Sequence, residues 1–279
     1  MGHAVLIAVM GLVLAVRLFR PIDPGGGRLG WTGGGGGIGG SPGKAKRKRN
    51  DEDLYPLRQR HLRFYFPMSK PEPVVVLFPI YPGVTHLDFT GPHQVLSRLP
   101  GAQIIVASVQ GQQISADGLI FSDLARLEEI EHCDVLCVPG GVGCTDAMQN
   151  ETFMDAISRL ASKARYITSV CTGSLILGAA GLLKGKRAAC HWAWRDFLPL
   201  FRAIPDSGRV VRDGNILTGG GITAGIDFAL TLVHELAGPT MAQSIQLSLE
   251  YAPAPPFNSG RPEIAPKETP PFSSISLDS

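Results

Sequence analysis

The sequence is poor in charge and in aromatics, and it has no apolar run long enough to span a bilayer comfortably. Of its 279 residues, 18% are Asp, Glu, Lys or Arg and 7% are Phe, Trp or Tyr. Its five cysteines, Cys133, Cys137, Cys144, Cys171 and Cys190, include no C-x-x-C pair, and none joins a histidine at zinc spacing. A structural zinc site of the usual kinds is thereby excluded, and the odd count argues against a disulfide framework. We expect free thiols in a reducing, cytoplasmic compartment, with Cys133 and Cys137 as inert thiols in or beside an apolar strand. The N-terminal apolar run, Ala4–Val16, has 13 residues. That is short for a membrane span and about the length of a signal-peptide core. Its basic residues, Arg17 and Arg20, follow it rather than precede it, and Leu6 stands where a myristoylation site needs Ser or Thr. No membrane association is expected.

The net charge of +2 hides an asymmetry: residues 1–67 carry 11 Lys and Arg against 4 Asp and Glu, and the remainder 15 against 20. A mildly acidic body gives no reason to expect nucleic-acid binding. The basic segment holds KAKRKR (Lys44–Arg49), which reads either as a nuclear address or nucleic-acid patch, or as a solvated charge run. Before it lies a glycine tract that cannot bury a core. Gly35, Gly37 and Gly40 satisfy G-x-G-x-x-G there, but with no strand before and no helix after, the match carries no phosphate site. We expect residues 1–67 to be an extension outside the fold with Met68 as the natural start, residues 68–256 to form the folded domain, and the Pro/Ser-rich residues 257–279 to be a tail, extended or disordered beyond about Gly260.

From Pro73 onward strand and helix patterns alternate. PVVVLFP (73–79) is a continuous β-branched run, as expected of a strand buried on both faces. A helix is expected over 88–99, with Pro92 suited to its first turn. Further strands are expected over 102–109, 134–141 and 166–170. A helix over 150–164 has Asn150 as its N-cap and Phe153, Ile157 and Leu160 on one face. Asp213-Gly214 marks a hairpin within 208–221, and helices over 224–238 and 240–251 close the domain. Such alternation implies an α/β fold, a mostly parallel sheet with helices on both faces. Ligands in such folds sit beyond the C-terminal strand ends, which draws attention to the stretch after Pro79, to Gly140–Gly141, to Cys171, and to Gly219–Gly221.

At one of these ends, YITSV stops at Cys171 and a helix begins with Thr172-Gly173-Ser174. A strand, a nucleophilic side chain and small residues opening a helix make the arrangement of a nucleophile elbow. A helix N-terminus aimed at the sulfur would lower the thiol pKa. The amides of Thr172 and of the Gly140–Gly141 turn are candidate donors to developing negative charge. The spacing alone fits equally a buried structural cysteine.

Four segments, FPIYPGVTHLDFTGPHQVL, CVPGGVGC, SVCTGSLILGAAGLLKGKRAACHW and GGGITAGIDFAL, together resemble the ThiJ/PfpI superfamily, and within it most nearly the isonitrile hydratases. The resemblance covers about Val74 to Pro256. It implies a flavodoxin-like three-layer sandwich, a cysteine nucleophile at the elbow, commonly a homodimer, and an acid from the first strand–helix segment hydrogen-bonded to the cysteine. That acid corresponds to Asp88, and the resemblance assigns catalytic roles to Asp88, Cys171 and Thr172. The expected activity is cofactor-free and metal-free hydration of a small-molecule isonitrile to an N-substituted formamide. Gly140, Gly141, His191, Gly221 and Ile222 are expected around the substrate, with Ile80, Val142 and Trp192 as further apolar wall. The elbow is Cys-Thr where protease-like relatives have Cys-His, which counts against peptidase chemistry. His191 reads either as a pocket residue or as a structural histidine beside Trp192, His86 as an exposed residue with a weak claim on the site, and Cys144 as a passive thiol at the pocket edge. Asp88 reads either as the acid or as an N-cap. A thiol-based sensor, related to the ligand-sensing domains of AraC-type regulators but without their DNA-binding region, and another cofactor-free cysteine enzyme are the alternatives.

Overall fold

The computed structural model describes residues 73–269; the expectations for residues 1–67, for Met68 as a start and for 270–279 lie outside them. The chain begins with β1 (Val74–Pro79), in which Val76, Leu77 and Phe78 are fully buried. This is the burial on both faces that its run of β-branched residues implies. Helix α1 (His86–Leu96) leads to β2 (Ala102–Ser108), a small hairpin of β3 (Ile114–Ala116) and β4 (Leu119–Phe121), and a short edge strand β5 (Ala125–Arg126). Then come β6 (Val135–Val138), the single turn α2 (Cys144–Ala147), helix α3 (Glu151–Ala161), β7 (Tyr166–Val170) and helix α4 (Gly173–Ala179). A crossing segment carries β8 (Arg187–Ala188), a 3-10 turn (Arg195–Phe201) and β9 (Ile204–Pro205). The hairpin of β10 (Val210–Asp213) and β11 (Ile216–Gly219) and the helices α5 (Ala224–Ala237) and α6 (Pro239–Ser248) complete the fold.

The main sheet has the order β10-β11-β7-β6-β1-β2-β5, and every neighbouring pair is parallel except β10 with β11. Read over the five central parallel strands, this is the flavodoxin-like order 2-1-3-4-5. Helices flank the sheet. One group packs α1 on α5 and α5 on α6; another packs α4 on β7, on α2 and on the 3-10 turn. The sequence direction reverses between β1 and β6, so the crevice beyond their C-terminal ends is the topological switch point where such folds bind ligands.

Several elements form as their residues dictate. Asn150 Oδ1 accepts the Phe153 N–H at 3.0 Å, and Phe153, Ile157 and Leu160 are buried beneath α3. Gly214 and Asn215 form the two-residue turn between β10 and β11. Pro92 departs from expectation. It is the seventh residue of α1, because the helix opens earlier, at His86, where the Thr85 N–H is held by the Gly140 carbonyl at 2.9 Å. An interior proline forfeits one helical hydrogen bond. Here its ring seats against Gly225 of α5, whose missing side chain leaves the room. The β3–β4 hairpin, β5 and the 195–201 turn were not expected, since each is too short to show a period. The tail also departs from expectation: it has described turns as far as residue 269, and Gly260–Glu263 lie beside a cavity. Among the described residues no helix is long and apolar enough to cross a membrane.

Candidate active site

Three loops meet beyond the switch point: 80–85 after β1, 139–143 after β6, and the corner at Cys171 after β7. Cys171 has φ 58°, a left-handed conformation that β-carbon sterics disfavour. Two carbonyls hold it there, since its N–H is directed at both Gly220 O (2.8 Å) and Gly219 O (3.1 Å). Behind it Ser174, fully buried, donates to Ala189 O at 2.6 Å and pairs with Ser169 Oγ at 2.8 Å. The small residues that open α4 therefore tie the corner to the segment that carries Cys190 and His191.

Asp88 is completely buried and sits in the first turn of α1. It does not cap that helix. Its Oδ2 accepts the Gly140 N–H across the crevice at 3.0 Å, and its Oδ1 has no hydrogen-bond partner. Burial raises its carboxyl from the ordinary 3.8 to about 7; the Gly140 N–H and the Cys171 thiol oppose that rise. The thiol and the carboxyl thus act on one another directly. Gly140 has to be glycine here, because a β-carbon would lie 2.5 Å from Thr172 N and 2.8 Å from Asp88 Oδ2. Thr172 Oγ1 accepts the Gly141 N–H at 2.9 Å and donates to Gly141 O at 3.1 Å, clamping the elbow to the β6 loop.

Two expectations about the elbow are corrected. The Gly140 and Gly141 amides are not free donors for substrate charge: the first holds Asp88 and the second Thr172. The thiol is not lowered by its helix either. Burial pushes Cys171 well above the ordinary cysteine range, and charge on Asp88, Cys190 and Cys144 adds to this; the Thr172 N–H alone opposes the rise among the main influences. The physical reason is that Cys171 is only 5% exposed and α4 is seven residues long, so a short helix terminus competes with nearly complete desolvation. The resting pair is a thiol beside a carboxyl that ionises near neutrality.

Beside the elbow lies a cavity of about 200 Å³ that Cys190, His191, Trp192, Gly221 and Ile222 help to line. Gly220, whose carbonyl accepts the Cys171 N–H, is part of the same wall. His191 Nδ1 accepts the Ala193 N–H at 3.3 Å, its ring lies 5.6 Å from that of Trp192, and burial lowers its pKa. Gly260–Glu263 of the tail also line it, and Glu263 meets Arg195 at 3.4 Å. Ile80 belongs elsewhere; it is fully buried and lines a separate cavity with Tyr81 and Phe153. Val142 is largely exposed. His86 is half-buried rather than exposed. Cys144 is buried, and burial raises its thiol to about 11, with the Thr172 hydroxyl opposing. Cys133 and Cys137 are buried, and burial takes both to about 12. Sequence reasoning gave no role to Tyr81 or Cys190; each lies inside a quoted motif, but neither has a spacing that marks it. Among the described residues no group of three or more His, Cys, Asp or Glu side chains is arranged to hold a metal ion.

Comparison with known proteins fits this geometry. Residues 74–235 match the DJ-1/PfpI family. The chain belongs to that family. It is 55% identical over 190 residues to isonitrile hydratase of Pseudomonas putida, covering 68% of this chain and 83% of that protein. Protein dj-1beta of Drosophila melanogaster is 29% identical over 177 residues, 61% of this chain and 94% of that one. Among solved structures, a ThiJ/PfpI family protein from Pseudomonas syringae superposes with a TM-score of 0.69 at 42% identity, covering 71% of this chain and 83% of its own. In this DJ-1/PfpI chain the elbow, the β1 loop and the β6 loop all fall inside the matched region.

Proposed function

We propose that this DJ-1/PfpI protein hydrates an organic isonitrile to an N-substituted formamide, with Cys171 as nucleophile and Asp88 as the proton carrier. The observation that carries the reading is the Asp88 carboxyl itself: fully buried, raised to about 7, with one oxygen gripped by the Gly140 N–H and the carboxyl in direct interaction with the Cys171 thiol. A carboxyl that titrates near neutrality is suited to both giving and taking a proton. The similarity to an isonitrile hydratase names the substrate class.

The pair reacts through its thiolate–carboxylic acid form, in which Asp88 has taken the proton of Cys171. Asp88 gives that proton to the isonitrile carbon, which becomes electrophilic as the sulfur attacks it, leaving R–N=CH–S–Cys171. Asp88, now ionised, draws a proton from water as the water oxygen adds to the same carbon, and passes it to nitrogen. Collapse of R–NH–CH(OH)–S–Cys171 breaks the C–S bond, releases R–NH–CHO and returns the hydroxyl proton to the pair. The sum is R–NC plus water to R–NH–CHO, and it uses no electron donor or acceptor. Thr172 keeps the β6 loop, and with it the grip on Asp88, against the elbow. Trp192 and Ile222 offer apolar wall to R, with His191 and Gly221 beside them. We place the protein in the cytoplasm as a homodimer.

The test is turnover of cyclohexyl isonitrile, followed as N-cyclohexylformamide by mass spectrometry. Formamide from the parent protein and none from Cys171→Ser supports the reading; no formamide from the parent protein overturns it.

A further inference from the structure

Tyr81 lies two residues beyond β1 and is 4% exposed. Its ring stands edge-on to Phe153 with centroids 5.4 Å apart, and its hydroxyl donates to the Pro139 carbonyl at 2.9 Å. The Pro139 carbonyl and the Gly140 N–H belong to the same peptide group, and that N–H donates to Asp88 Oδ2 at 3.0 Å. Hydroxyl, peptide and carboxylate therefore form one chain, O–H···O=C–N–H···O. Donation to the carbonyl oxygen polarises the resonance-coupled peptide and makes its N–H a stronger donor. A packing role against Phe153 alone would be served by phenylalanine, with no hydroxyl to satisfy in the interior.

We propose that Tyr81 is a positioning residue, which fixes and polarises the Pro139–Gly140 peptide and so sets how the proton is shared between Asp88 and Cys171. The importance of that shared proton for turnover rests on the proposed function; the sharing itself does not. The groups whose charges meet at the carboxyl are Cys171 at the elbow, Cys137 on β6, Cys190 after β8 and Tyr81 itself, and Cys144 on α2 acts on it through Cys171 and Tyr81. A weaker Gly140 donor leaves the carboxylate more basic. The first proton then leaves the pair at higher pH, and once it has left, more of the pair is thiolate with carboxylic acid. The form with both protons in place is unaffected by donation to the carboxylate.

Alkylation of Cys171 by iodoacetamide, followed by peptide mapping of the full chain between pH 5 and 9, reads this sharing. The rate should rise to a plateau as the first proton leaves. In Tyr81→Phe the midpoint should move up by about 0.5 pH and the plateau should rise about threefold, with the rate at pH 5 unchanged. Replacing Tyr81 by 3-fluorotyrosine, an isostere with a more acidic hydroxyl, should move the midpoint down and lower the plateau, and it carries the test if the phenylalanine variant fails to fold. Phe153→Leu, which disturbs the ring contact alone, should leave the midpoint in place. A Tyr81 variant whose rate changes by one factor at every pH, a midpoint that does not move, or an equal displacement in Phe153→Leu overturns the proposal. Alkylation requires no isonitrile, so a parent protein that fails to make formamide would remove the proposed function and leave this test standing.

Discussion

Asp88→Asn should inactivate the protein and, at alkaline pH, stabilise it. The two effects share a cause. The folded protein raises the Asp88 carboxyl from 3.8 to about 7, chiefly by burial, whereas the unfolded chain keeps the ordinary value. Below about pH 3.8 both states hold the proton and Asp88 has no effect on the equilibrium. Between 3.8 and about 7 the unfolded chain has released a proton that the folded chain retains, so stability falls as pH rises. Above about 7 the folded protein carries a buried carboxylate and the loss is complete. A rise of about three pH units at 1.36 kcal/mol each amounts to roughly 4 kcal/mol, a ceiling. Asparagine keeps the bond from the Gly140 N–H through its amide oxygen but buries a new NH2 group, which returns part of the gain.

The expected net effect at pH 8 is about 1–3 kcal/mol of added stability, a rise in Tm of about 3–10 °C for a domain of this size. At pH 4.5 the carboxyl costs the folded parent only about 1 kcal/mol while the buried NH2 group costs the variant as much as before, so the variant should be no more stable than the parent and up to about 2 kcal/mol less so. Turnover should fall by about 10²–10⁴, the worth of a general acid–base group. The assays are calorimetric melting at both pH values and formamide production. An Asp88→Asn protein with the same Tm difference from the parent at both pH values would refute the raised carboxyl, and turnover within a few-fold of the parent would refute its role as proton carrier.

Cys171→Ser should fold normally and make no detectable formamide, because a serine alkoxide is far scarcer near neutrality than a cysteine thiolate; circular dichroism and the formamide assay check both parts. Gly140→Ala should lower kcat by about 10² or more, since its β-carbon would meet Thr172 N at 2.5 Å and Asp88 Oδ2 at 2.8 Å and would displace both side chains from the elbow. Thr172→Val preserves shape but leaves the buried Gly141 N–H without its acceptor, while the Gly141 carbonyl keeps the Cys144 N–H; it should cost about 1–3 kcal/mol in denaturant unfolding, with activity falling as the β6 loop loosens.

The order of elements along the chain and the residues that mark the site were legible in the sequence because they are local. A β-branched run, a small-residue helix start and an Asp-Gly turn each act within a few residues. Cys171 could be named for the same reason, standing at a strand end before a small-residue helix start, whereas Asp88 was named only through the resemblance to the ThiJ/PfpI superfamily. What joins them was not legible. The Gly140 N–H reaches Asp88 over 52 residues of chain, and the Gly141 N–H reaches Thr172 over 31. Composition shows a Gly-Gly turn but not that both of its amides are already taken. The direction of the Cys171 pKa also depended on distance and burial: a helix start follows it in the sequence, but only the folded chain shows that seven residues of helix act on a nearly buried sulfur. Tyr81 had no signal of its own, because its partner is a backbone carbonyl 58 residues away. The tail misled by composition, since its prolines and serines look unstructured while Glu263 is held by Arg195.

The most direct test of the central claim is the mass of the Cys171 peptide after acid quench during turnover of cyclohexyl isonitrile. A covalent intermediate at this elbow predicts a peptide heavier by one isonitrile, with the increment on Cys171 and on none of Cys133, Cys137, Cys144 or Cys190, declining as substrate is exhausted and formamide accumulates. Formamide accumulating at the full rate while the Cys171 peptide stays unmodified, or while another cysteine carries the increment, would contradict it.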